Sequence, residues 1–106
     1  MNIRNKGAGG ERELSRILRE HGYNCRRGQQ YNGANGDADV VGLPDIHIEC
    51  KRVERLNLSE AMKQAVRDAR TTEIPTVFHR KNREGWLVTM QMEDWLKLYA
   101  ESRRKI

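Results

Sequence analysis

Cysteine is scarce in this chain: Cys25 and Cys50 are the only two among 106 residues. Two thiols at that spacing can build neither a zinc site nor the disulfide framework of a small secreted domain. Both fall in strand-like stretches, which points to reduced, buried thiols and a cytoplasmic protein. No basic-then-apolar leader opens the sequence, and no apolar run nears the ~20 residues a membrane helix needs. Neither secretion nor membrane insertion is therefore expected. Internal repeats, long linkers and low-complexity tracts are missing too, apart from a polar Gly/Asn stretch around 28–36 that reads as a flexible loop. A length of 106 residues then allows one domain, spanning 1–106, with one modest core and a basic tail at about 102–106.

Charge is what the chain has in abundance. Twenty Lys and Arg stand against fifteen Asp and Glu, a net charge of +5. A basic excess on a small soluble domain favours a polyanionic partner, most commonly nucleic acid. A basic surface that is merely solvated satisfies the same composition.

Apolar periodicity divides the chain into eight elements. Residues 7–21 read as a helix with Leu14, Ile17, Leu18 and His21 on one stripe, stopped by Gly22. A short strand is predicted over 23–27, then strands over 38–42 and 46–52 around a turn at Leu43-Pro44-Asp45. Asn57, with Glu60 three residues on, signals a helix N-terminus. That helix turns Leu58, Ala61, Met62, Ala65 and Ala69 inward and ends before Pro75. Strands over 76–79 and 86–90 flank a basic loop at 80–85. A last helix from Gln91 is expected to bury Met92, Trp95, Leu96 and Tyr99. The order α-β-β-β-α-β-β-α implies an α/β fold, a mixed central sheet flanked by helices.

The sharpest chemical signal is Glu49-Cys50-Lys51. Strand alternation puts Glu49 and Lys51 on one face and turns Cys50 into the opposite, apolar layer. A carboxylate beside an ammonium suits phosphodiester hydrolysis: the first helps hold a hard divalent cation, and the second can position water or offset developing negative charge. As a bare triplet, Glu-x-Lys is commonplace and usually a surface ion pair. Its context adds a second acid, since Asp39 lies in a strand expected to pair with this one. Asp37 shares that face nearer the loop, and Asp45 follows Pro44 in a turn where Asp is ordinary; Asp39 ranks first, Asp37 second and Asp45 third. On the first helix Glu11 and Glu13 flank the apolar stripe on either side, and spacing cannot separate them. An acid in such a place is more often a solvated flank residue.

The run Lys6-Gly7-Ala8-Gly9-Gly10-Glu11-Arg12-Glu13-Leu14 resembles the opening of the archaeal Holliday-junction resolvases, members of the PD-(D/E)XK nuclease superfamily. Arg27, Asp39-Val40-Val41 and Ile48-Glu49-Cys50-Lys51 follow in that family's order and at similar distances. Small phage-type resolvase-like nucleases look closer still. The likeness covers the first half of the chain well and the second mainly by element order. It implies a restriction-endonuclease-like core and a Mg²⁺- or Mn²⁺-dependent DNA endonuclease. It makes Glu11 rather than Glu13 the first-helix acid, Asp39 the central metal ligand, Glu49 the second and Lys51 the catalytic lysine. The ion would also take a backbone carbonyl near Cys50. Arg12 and Arg27, with neighbouring Arg26, match basic positions that contact DNA phosphates. Gln64 resembles a glutamine often found near the site, although Asp68 stands where a tyrosine is common. The Gly/Asn loop before Asp39 departs from the family and leaves loop-mediated substrate choice open.

Cutting a four-way junction takes two symmetric incisions, so a domain of this size implies a homodimer. The sequence also accommodates a nicking or flap-selective endonuclease of phage replication or packaging, an RNA-degrading enzyme, or a non-catalytic DNA-binding module. His47 shares the face of Glu49 and Lys51 and could line the cleft, although a lone strand histidine is more often structural; His21 and His79 have weaker claims. Trp86, Trp95 and Tyr99 read as core, Arg80 to Arg83 as a solvated turn or a phosphate-contacting loop, and Tyr31 as the aromatic best placed to touch DNA.

Overall fold

The computed structural model describes residues 3–29 and 38–104, with the side chains of the first helix described from Ala8 onward. Tyr31, Asp37, Lys105 and most of the Gly/Asn stretch lie outside the described residues.

Helix α1 (Ile3–Glu20) precedes three strands, β1 (Arg26–Arg27), β2 (Val40–Val41) and β3 (Ile46–Arg52). Helix α2 (Leu58–Asp68), strands β4 (Ile74–Arg80) and β5 (Leu87–Met90), and helix α3 (Met92–Arg103) complete the elements of the described residues. The strands form one five-stranded sheet in sequential order, β1-β2-β3-β4-β5. Only β3 and β4 are parallel, in register from Ile46↔Ile74 to Arg52↔Arg80; the other pairs are antiparallel. A parallel pair cannot be joined by a hairpin, and α2 supplies the crossover between its two strands.

The expected element order holds, and the differences are local. The strands predicted over 23–27 and 38–42 shrink to two residues each, because β1 and β2 pair with each other at the sheet edge over only Arg26↔Val41 and Arg27↔Val40. Strand β4 instead extends to both sides of its predicted span, since the ladder with β3 supports it along its length.

Helix α1 ends at Glu20 by a Schellman motif. The Tyr23 N–H donates to Leu18 O and the Gly22 N–H to Arg19 O, with Gly22 at φ 96°. His21 sits in that turn and is exposed, so the stripe's fourth member is missing from the core. Asn57 caps α2 through its side chain, which accepts the Glu60 N–H at 3.1 Å. Ala69, expected to face inward, is the C-cap of that helix.

Two apolar clusters cover the two faces of the sheet. Leu14, Cys25, Val40 and Ile48 are buried together, with Leu18, Ile46, Cys50, Phe78 and Trp86 packed around them. On the other face, Ala61 and Ala65 of α2 pack on Val77, with Leu56, Leu58 and Met62 alongside. Glu49 is the register partner of Val77, so His47, Glu49 and Lys51 share the α2 side of the sheet while Cys50 faces α1.

Helix α3 departs from expectation. None of its residues is buried, and Met92, Trp95, Leu96 and Tyr99 are 72%, 51%, 46% and 51% exposed. These side chains are not core. Periodicity registers that a helix has an apolar face, and it is blind to whether the same chain covers that face.

Candidate active site

Asp39 stands just before β2, where its backbone N–H donates to Ile48 O and its carbonyl accepts from the Gly28 N–H. The first bond fixes the residue against the middle of β3, and the second ties it to the chain just after β1. Its Oδ2 accepts the Cys50 N–H at 2.8 Å, so the side chain lies along the backbone between Glu49 and Lys51. Glu49, Glu11 and Lys51 all act electrostatically on this carboxyl. Burial first, and then the neighbouring Glu49, hold its pKa well above the ordinary carboxylate range; Glu11 pushes the same way and the Lys51 ammonium opposes.

Glu49 is buried, at 3% exposure. Its Oε1 lies 3.3 Å from His47 Nε2, whereas Oε2 is a buried oxygen with no hydrogen-bond partner among the described residues. An unpartnered buried carboxylate oxygen is costly unless something else meets it. His47 is itself buried, and its other ring nitrogen faces Glu73 at 3.9 Å. The facing carboxylates of Glu49, Glu73 and Asp68 outweigh burial and raise its pKa.

Glu11 reaches the site from α1. Its Oε1 accepts from Arg27 Nε at 3.0 Å, which ties the helix to β1. Close approach of that helix depends on Gly10, where a Cβ would sit 2.8 Å from Arg52 Cβ. Glu13 points elsewhere and is not a solvated flank residue. It accepts from Arg80 and, at 2.9 Å, from Trp86 Nε1, and Arg52 lies 3.7 Å away. Two residues apart on one helix, the acids that spacing could not separate have different surroundings: Glu11 among charges at the sheet edge, Glu13 in a half-buried cluster that braces the far strands.

Asp45 occupies the β2–β3 turn at φ 65°, exposed, with its carbonyl accepting the Ile74 N–H. Gln64 is half-buried on α2, and its side chain makes no hydrogen bond to another described residue. Burial raises both thiols, Cys50 to about 12, so neither offers a thiolate at neutral pH. His79 bonds Thr89 at 2.8 Å within the β4–β5 ladder. Arg80 and Asn82, from the basic loop, are engaged with Glu13, Arg52 and Glu54, which makes that loop a braced turn. Arg12, Arg26 and Arg27 line one open groove of about 620 Å³ with Arg16 and Arg19, two arginines the sequence reading passed over. Their spacing after Arg12, four and seven residues on, was the signal that could have found them.

Among the described residues, no three His, Cys, Asp or Glu side chains form a cluster ready to hold a metal. Glu11 is drawn to Arg27, which leaves Asp39 and Glu49 as the converging pair. Two carboxylates, one with an unpartnered oxygen, fit a hard cation that keeps several waters. No helix among the described residues is long and apolar enough to cross a membrane.

A family model described as "Phage putative PDDEXK endonuclease" matches residues 2–106. No curated protein matches the chain. The five-stranded mixed sheet flanked by helices is consistent with a restriction-endonuclease-like fold.

Proposed function

This chain belongs to the phage PDDEXK endonuclease family, and on that premise we propose that it is a Mg²⁺- or Mn²⁺-dependent endonuclease cutting DNA, with four-way junctions as its preferred substrate. The observation that carries the reading is the convergence of Asp39, Glu49 and Lys51 around the Cys50 amide, with one Glu49 oxygen buried and unpartnered. Asp39 and Glu49, with a backbone carbonyl near Cys50, would hold the ion, which when bound supplies Lewis-acid activation of water and of the scissile phosphate.

The chain's own residues do the rest. Lys51 places a positive charge beside Asp39, where it can orient the attacking water and offset charge on the phosphorane. Glu11, bridged to Arg27, orders the sheet edge and would support the ion's site from α1. His47 holds one oxygen of Glu49, and the other, which is unpartnered, would be available to a cation. Arg12, Arg26 and Arg27 take the phosphate backbone in the groove beside α1, and Gln64 would contribute to substrate binding from α2. Two cuts across a junction need two sites related by a two-fold axis, so the working unit is a homodimer. With both thiols reduced, it works in the cytoplasm of the phage host.

The test is incubation of the purified protein with labelled four-way junction, flap, nicked and plain duplex DNA, with Mg²⁺ and with chelator. Paired incisions in the junction, lost in chelator, are expected. Cleavage that persists in chelator would remove the metal mechanism. Flaps or nicks cut as readily as junctions would replace junction resolution by a structure-selective nuclease.

A further inference from the structure

Helix α3 carries a stripe with no partner among the described residues. Met92, Trp95, Leu96 and Tyr99 fall at i, i+3, i+4 and i+7, one face of a helix. All four are substantially exposed, and Trp95 and Tyr99 stack with ring centroids 5.2 Å apart. Asp94, on the opposite face, has a side chain only 17% exposed, although Leu98 near it is 41% exposed, so the stripe is the helix's larger open apolar face. A twelve-residue helix is marginal in water by itself and takes its stability from packing an apolar face. The stripe therefore calls for an occupant.

Its charge pattern identifies one. Acidic Glu93 lies in the first turn and basic Arg103 in the last, and neither is in an ion pair with another described residue. At 100° per residue, Arg103 continues the line of the stripe and Glu93 borders it. Two such helices laid antiparallel about a two-fold axis bring Leu96 against Tyr99 of the other copy. The same axis sets Glu93 beside Arg103 at both ends. A parallel arrangement would put like charges together. We infer that α3 is the homodimer interface, pairing antiparallel with α3 of a second copy through Met92, Trp95, Leu96 and Tyr99 and a reciprocal Glu93–Arg103 ion pair.

This deepens the homodimer reading given above and rests on it, but not on the chemistry of the site. Half-exposed large side chains offer on the order of 100 Å² each, so the pair would bury roughly 800 Å², less than the roughly 1,200 Å² of a stable specific interface and in the range of a weak, transient one. A concentration-dependent dimer is expected. Because α3 follows β5 and the carboxylates lie at β2–β3, pairing through α3 leaves the β1–β2 edge of both copies open to DNA.

Charge reversal tests the geometry, because the pairing is reciprocal. Glu93→Arg alone and Arg103→Glu alone should each weaken the dimer on the order of tenfold or more, read by sedimentation velocity across micromolar concentrations. Mixing the two single variants should restore dimers, since both ion pairs re-form in the heterodimer. The doubly reversed chain should dimerise with itself. Trp95→Ala should give monomers that keep a cooperative thermal transition, with any loss of circular dichroism confined to one helix's worth of signal, because Trp95 holds no core contact. A wild-type chain that stays monomeric at 100-fold the concentration used for cleavage (about 100 μM against about 1 μM) overturns the inference. So does a dimer indifferent to these changes, or single reversals that fail to rescue each other. Cleavage is scored separately: a monomer that cuts DNA defeats this interface alone, and a dimer that does not cut defeats the nuclease reading alone.

Discussion

Asp39 shows how one side chain's surroundings couple stability to activity. Its carboxyl is raised by burial and by Glu49, so the metal-free native state holds a proton that the unfolded chain releases at its ordinary, lower pKa. Between those two values the native state binds more protons than the unfolded one, and this group's contribution to stability falls as pH rises. Asp39→Asn removes the titration and keeps an oxygen for the Cys50 N–H. The metal-free variant should therefore be more stable than metal-free wild type at pH 8, on the order of 1 kcal/mol. The difference should shrink at pH 5. The same substitution should abolish cleavage while leaving DNA binding intact or tighter, because a negative charge facing phosphate is gone. Thermal denaturation at the two pH values, with a nuclease assay alongside, checks both halves. Equal stability at both pH values would return Asp39 to an ordinary solvated acid.

At the scale of the element, the close contact between α1 and the end of β3 decides where Glu11 stands. Adjacent glycines in this helix differ in what they do. A Cβ at Gly10 meets the Arg52 Cβ at 2.8 Å, a branch point that cannot swing aside, whereas a Cβ at Gly9 meets nothing within 4 Å. Gly9→Ala should stabilise the protein by about 0.5–1 kcal/mol through helix propensity alone. Gly10→Ala gains the same propensity but forces the helix off the sheet, at a cost of about 1–3 kcal/mol. It should also reduce cleavage, because Glu11 moves with the helix. Denaturant titration of the two variants separates the effects, and equal stabilisation by both would mean that α1 sits farther from β3.

On the scale of the whole molecule, the net charge of +5 is unevenly spent. Several arginines are engaged within the fold: Arg80 with Glu13, Arg52 with Asn82, Arg16 with Glu20, and Arg27 with Glu11. Arg12 lines the α1 groove without an ion-pair partner among the described residues. DNA affinity should fall with salt in proportion to the phosphates neutralised. Arg12→Ala should flatten that dependence by roughly one unit of slope. Arg27→Ala should flatten it less, since Glu11 already offsets that charge. Binding isotherms on a catalytically dead background at several salt concentrations measure both slopes; an unchanged slope for Arg12→Ala would take the phosphate path off α1.

The element order, the caps of α1 and α2 and the alternation along β3 were legible in the sequence because each rests on local physics. Gly22 supplies a left-handed backbone, Asn57 caps its own helix, and a strand's side chains alternate whatever it packs against. The place of Asp39 beside the Cys50 amide depends on pairing across eleven residues of chain, and only the assembled sheet edge decides it. The distinction between Glu11 and Glu13 is of the same kind. Both border one stripe on one helix, and their fates part because Arg27 comes from β1 while Arg80 and Trp86 come from the far side of the sheet. The periodicity of α3 was readable, but its burial was not. A sequence pattern records that a face is apolar, whereas what covers that face is settled by where the neighbouring elements end, and here they end short of it.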